Sequence, residues 1–160
     1  MGSDTLPPGP EQVLRDAGLA LGEAILDVLP SWAERVSTLL AGASFAEPGR
    51  RAGGTMVTAL APALAALLAA DVDAQRTTPL ALLRGSMGPL SEVLRSGGVG
   101  RATRDELDRA MAPGDEFGVA PRTWADLGEE VHEAGIRWGV AKAFAHRARH
   151  GGGTSPRRPG

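Results

Sequence analysis

The sequence predicts an all-α protein: a single compact domain of five to seven helices packed as an irregular bundle. Three observations carry that expectation. Hydrophobic residues make up 42% of the 160-residue chain and aromatics only 4%, with alanine and leucine supplying most of the apolar mass. Such a composition suits helices that approach closely, not sheets rich in aromatic and β-branched side chains. Apolar positions recur at three- and four-residue intervals in several stretches, which is the period of one helix face. The 22 glycines and 12 prolines then break those stretches into short pieces and lengthen the connections.

The proline-rich start cannot sustain a helix, so residues 1–10 are expected to be flexible, 11–150 to form the domain, and 151–160 a flexible basic tail. From Val13, the positions Leu14, Ala17, Leu21, Ile25, Val28 and Leu29 define an amphipathic helix ending near Pro30. Gly18 and Gly22 lie one turn apart and open room for a neighbouring helix. Ser31 and Glu34 have the spacing of a capping box, predicting a second helix through Ala41 that buries Trp32, Val36, Leu39 and Leu40. Residues 42–54 lack an apolar period and read as an exposed connection carrying Arg50 and Arg51.

Residues 56–70 are apolar nearly all round, predicting a central helix kinked or divided at Pro62. Asp71 and Asp73 follow at its C-terminal end, where negative charge opposes the helix dipole; a partner or ligand contact is one reading, an ordinary exposed turn the more frequent one. Thr78 and Pro79 form a cap and first-turn pair. Beyond them Leu80, Leu83, Met87, Leu90 and Leu94 give the clearest seam in the chain, interrupted at Gly88-Pro89 and stopped at Gly97-Gly98. Thr103 and Glu106 repeat the capping logic for a short helix to Met111. Phe117 and Val119 are the expected anchors of an irregular stretch, and Thr123 to Asp126 marks another helix start. The last helix sets Val131, Ala134, Trp138, Ala141 and Ala145 on one face, widened by Ile136, Val140 and Phe144. Residues 56–70, 80–94 and 131–145 are the expected core.

Charge is distributed unevenly. Lys142, Arg147, Arg149, Arg157 and Arg158 occupy residues 142–160 without an acid, leaving twelve basic and nineteen acidic residues in the rest of the chain. A formal net charge of -2 opposes nonspecific attraction to nucleic acid, while the basic end can neutralise phosphates without reading bases. The absence of cysteine removes disulfides, thiol nucleophiles and thiolate ligands. The N-terminal residues carry no basic patch followed by an apolar run, and residues 56–72 are short for a bilayer span, so a cytoplasmic location without membrane contact is expected.

No phosphate loop, dinucleotide fingerprint, HExxH or EF-hand loop occurs, and no catalytic residue or cofactor is expected. His146 and His150 are four apart and can share a helix face toward a divalent metal, but no Asp, Glu or Cys nearby in sequence completes the set and Arg147 and Arg149 repel a cation, so no metal is expected. Glu129 and His132 have the spacing of an acid/base pair, yet a charged first helical turn accounts for them. The better candidates are basic. Arg76 and Arg84 bracket Thr77 and Thr78 at a helix entrance, a combination of guanidinium, hydroxyl and backbone N–H groups that suits an anion or an acidic partner; Arg95, Arg101 and Arg104 can enlarge that positive field.

The stretches DVDAQRTTPLALLRG, EVLRSGGVG, RDELDRAM and GIRWGVAKA, within residues 71–143, resemble small uncharacterised helical proteins of high-GC actinobacteria. That resemblance implies a self-standing bacterial protein and assigns no activity or site. The expected function is a noncatalytic protein-protein interaction module, an adaptor or regulatory subunit, whose partner is another protein, a second copy of the chain included. A DNA- or RNA-associated regulator using the basic end, and a small enzyme acting on an anionic metabolite at Arg76 and Arg84, are the alternatives.

Overall fold

The computed structural model describes residues 9–70, 73, 77–100 and 117–151, and among them every regular element is helical. Helix α1 spans Pro10–Ala41, α2 Ala46–Ala69, α3 Pro79–Arg84, α4 Gly88–Ser96 and α5 Glu129–His146. Among the described residues four of these have nine residues or more and α3 is a short segment of six, so the all-α class holds while five to seven helices is not quite matched. The helix expected over 103–111 lies outside the described residues.

The shortfall comes from α1, which takes in two expected helices. Pro30 lies inside it. Ser31 is therefore not a cap; its hydroxyl donates to the Val28 carbonyl at 3.1 Å. Of the second helix's expected core, Trp32 is buried and Val36 half-buried, but Leu39 and Leu40 face solvent. Proline costs a helix one backbone hydrogen bond, and tertiary packing supplies the compensation here. The backbone of α1 at Leu29 and Pro30 lies directly against Gly53 of α2, so close that a Cβ on Gly53 would sit 2.6 Å from the Pro30 Cα.

That crossing also overturns the expected exposed connection at 42–54. Gly42 carries a positive φ of 107° and turns the chain, Ala43–Phe45 form a single 3-10 turn, and α2 begins at Ala46. Gly49 and Gly53, one turn apart, form the smooth strip on which Ser37, Ala33 and Pro30 of α1 rest. Glycine's propensity cost of ~1 kcal/mol is outweighed where the missing Cβ admits a second backbone. Further along the same helix pair, Leu68 packs over Gly18 and Gly22 of α1 as the glycine spacing predicts.

α2 runs undivided through Pro62, which is exposed. With the preceding turn, Ala43–Ala69 is long and apolar enough to cross a membrane by length and composition, as the core helix of a soluble bundle also is. Its buried stripe, Met56, Leu60, Leu64, Leu67 and Leu68, faces the other helices, whereas Ala59, Ala63 and Ala66 are exposed. The all-round apolarity reflects alanine rather than burial on every side.

The 80–94 seam is confirmed in two pieces. Leu83, Met87, Leu90 and Leu94 are fully buried and Leu80 half-buried. Thr78 accepts the Ala81 amide hydrogen at 3.1 Å, Pro79 occupies the first turn, and Gly97 and Gly98 end α4. Phe117 is buried and Val119 packs against the core. Thr123 and Asp126 form a capping box for the 3-10 turn Trp124–Asp126, with Asp126 accepting the Thr123 amide hydrogen at 3.1 Å. In α5, Val131, Ala134, Trp138, Ala141 and Ala145 turn inward against α1. Ile136, Val140 and Phe144 do not widen that face; they are 52%, 65% and 41% exposed.

Candidate functional site

Three segments distant in sequence meet where α5 ends. After His146 the chain makes a π turn over Arg147–Gly151, which keeps His146 and His150 together on one side. Their imidazole centroids lie 4.7 Å apart with the rings inclined at 50°. Asp73, from the segment that follows α2, approaches both. Its Oδ2 is 2.8 Å from His150 Nε2 and its Oδ1 is 3.4 Å from His146 Nδ1. One ligand atom from each of the three residues falls within 4.8 Å of the other two.

A second layer of charge flanks this group. Arg149 reaches Asp73 Oδ2 through Nη1 at 3.4 Å, and its Nη2 donates to Glu11 Oε2 at 2.7 Å. Glu11, in the first turn of α1, thereby contacts a residue 138 positions later. The hydrogen bond from His150, aided by the charges of His150 and Arg149, holds the Asp73 carboxyl below the ordinary carboxylate range despite a smaller opposing effect of desolvation. All three potential ligands are exposed, so these contacts stay accessible to solvent and to solutes.

The sequence-derived candidates are dispersed by comparison. Thr77 and Thr78 are exposed at the entrance of α3, but the Thr78 hydroxyl is engaged with the Ala81 amide. Arg84 turns away from that entrance: Nε and Nη2 donate to the carbonyls of Pro121 at 3.3 Å and Arg122 at 3.4 Å, fastening the 117–123 stretch to α3. Arg95 pairs with Glu92 at 2.8 Å. Arg76, Arg101 and Arg104 lie outside the described residues. Of the basic end, Lys142 places its Nζ 4.3 Å from the centroid of the Trp138 ring, a cation–π contact, and Arg149 joins the Asp73 group. Arg147 is exposed beside the groove between α1 and α5, and Arg157 and Arg158 lie outside the described residues.

Sequence spacing identified the histidine pair but not its carboxylate. Asp73 is more than 70 positions away, and its one local signal was the unfavourable placement of an acid after the end of α2. The partner role of Glu11 had no sequence signal, because a first-turn acid is ordinary.

A second feature is the shallow groove between α1 and α5, lined by Val13, Ala17, Ile136, Val140 and Phe144 together with the charged Asp16, Arg137 and Arg147. Three large apolar side chains on successive turns thus stand in solvent. Scattered exposed leucines are ordinary, but a contiguous apolar stripe marks a contact surface.

No known protein family, curated protein or solved structure matches this chain.

Proposed function

We propose that the protein is a noncatalytic protein-protein interaction module whose contact surface is the outward stripe of α5 and whose occupant is a second copy of the chain. The observation that carries this reading is the exposure of Ile136, Val140 and Phe144 at 52%, 65% and 41%. Charge arrangement supports self-pairing. Glu133 and Arg147, both exposed, stand seven residues on either side of Val140. Two α5 helices packed antiparallel about a two-fold axis at Val140 bring Ile136 against the other copy's Phe144, and Glu133 against its Arg147. Gly139 and Ala143, exposed beside the stripe, leave space for the close approach.

The competing uses of the arginines have less support. Arg84 is engaged with backbone carbonyls and Arg149 with carboxylates, which favours structural ties over an anion-metabolite site or a phosphate-binding tail.

Sedimentation equilibrium of the purified protein over a concentration series tests the proposal. Dimers are expected, Val140→Glu should abolish them, and Glu133→Arg should weaken them with recovery in the Glu133→Arg/Arg147→Glu double variant. A chain that remains monomeric at the highest soluble concentration, or dimers indifferent to Val140→Glu, would overturn it.

A further inference from the structure

We infer that Asp73, His146 and His150 form a binding site for a divalent transition-metal ion, with Zn2+ the best fit. Two imidazoles and one carboxylate are a borderline donor set suited to zinc, and they leave a fourth tetrahedral position for water. The geometry already approaches what coordination requires. Zinc bonds to imidazole nitrogen and carboxylate oxygen are ~2.0–2.2 Å, which puts tetrahedral ligand atoms roughly 3.4 Å from one another. The two Asp73 oxygens stand 2.8 Å and 3.4 Å from the two histidines, and one donor atom from each residue falls within 4.8 Å of the others, so the set is within about 1.4 Å of tetrahedral spacing.

The local backbone contributes. His146 ends the α-helical part of α5 and His150 belongs to the π turn that follows, so both are fixed on one element while Asp73 arrives from another. π-helical geometry is rare in proteins and is frequent at functional sites. Of the two arginines that oppose a cation, exposed Arg147 and Arg149, Arg149 is the one in contact with a ligand, 3.4 Å from the Asp73 carboxylate. Glu11 neutralises it on the far side at 2.7 Å, and keeps hold of the guanidinium when Asp73 turns to the ion. A bound ion replaces the His–Asp contacts with coordinate bonds and fastens the segment after α2 to the end of α5. This site is independent of the α5 stripe, whose Ile136, Val140 and Phe144 contribute no ligand atom.

Isothermal titration of chelator-stripped protein with ZnCl2, paralleled by Co2+ absorption spectroscopy, provides the test. One equivalent per chain is expected, with a Co2+ ligand-field spectrum of four- or five-coordinate N/O geometry. Asp73→Asn, His146→Ala and His150→Ala should each weaken binding at least about tenfold, while His132→Ala leaves it unchanged. The wild-type Co2+ spectrum reads the site without any substitution, and circular dichroism of the metal-free variants separates loss of a ligand from loss of fold. Absence of saturable binding overturns the inference. So does an Asp73→Asn protein that binds as tightly as wild type, because the histidine pair would then be acting as a surface chelator without the third ligand.

Discussion

Alanine at Gly53 and alanine at Gly54 should change stability in opposite directions, although the two glycines are neighbours in the same helix. In isolation each substitution favours the helix by ~1 kcal/mol, the propensity difference between the two residues. At Gly54 a Cβ meets nothing within 4 Å, so most of that gain is expressed. At Gly53 the Cβ falls 2.6 Å from the Pro30 Cα, 2.7 Å from the Leu29 carbonyl oxygen and 3.0 Å from the Ala33 Cβ. An ordinary contact begins at 3.4 Å, so the shortfall is about 0.8 Å, and its nearest atoms are backbone that no rotamer change can clear. α1 must retreat along its crossing with α2. Overpacking of this kind costs about 1–3 kcal/mol, and backbone involvement places the cost at the upper end, leaving roughly 2 kcal/mol of net destabilisation. For a domain of this length that is a fall in Tm of about 4–8 °C for Gly53→Ala, against a rise of about 2–4 °C for Gly54→Ala. Urea and thermal denaturation of the two variants beside wild type measure both. Stabilisation of similar size by both substitutions would refute the close α1–α2 crossing.

Two further outcomes follow from buried and charged contacts. The Ser37 hydroxyl is fully buried with no hydrogen-bond partner among the described residues, so Ser37→Ala should leave stability unchanged or raise it by ~1 kcal/mol in urea denaturation; a loss of similar size would mean that the hydroxyl is bonded. Asp73, with its folded-state pKa depressed, contributes stability that is complete above the ordinary carboxylate value of ~3.9 and is lost as pH falls through the lower folded value. Following its carboxyl carbon by NMR should give a midpoint that rises in His150→Ala, and an unchanged midpoint would remove His150 as the principal cause.

Much of the fold is legible in the sequence where local chemistry and packing agree. Thr78 and Pro79 start α3, Gly97 and Gly98 stop α4, and Leu83, Met87, Leu90 and Leu94 are buried as their spacing requires. The failures occur where local preference yields to tertiary contact. Pro30 reads as a terminator and Gly49 and Gly53 as loop residues, yet each belongs to a helix because α1 and α2 are pressed together at these positions. α5 misleads differently: its apolar residues cover more of the circumference than α1 can bury, and helical periodicity does not distinguish the inward part from the outward part. The Asp73 group was half legible, since i,i+4 spacing joins His146 to His150 within one helix end whereas no periodicity connects them to residue 73.

The contact between Glu11 and Arg149 bears on the order of folding. α1 and α2 are joined by a short connection, and their pairing closes only a small loop. Bringing Arg149 to Glu11 instead closes a loop of 138 residues, and the entropy of closure grows with the logarithm of that length. Such a contact gains little until the intervening helices have already shortened the path between its partners. By that reasoning the α1–α2 hairpin is the expected nucleus, and stopped-flow kinetics of Glu11→Gln should show faster unfolding with a nearly unchanged folding rate.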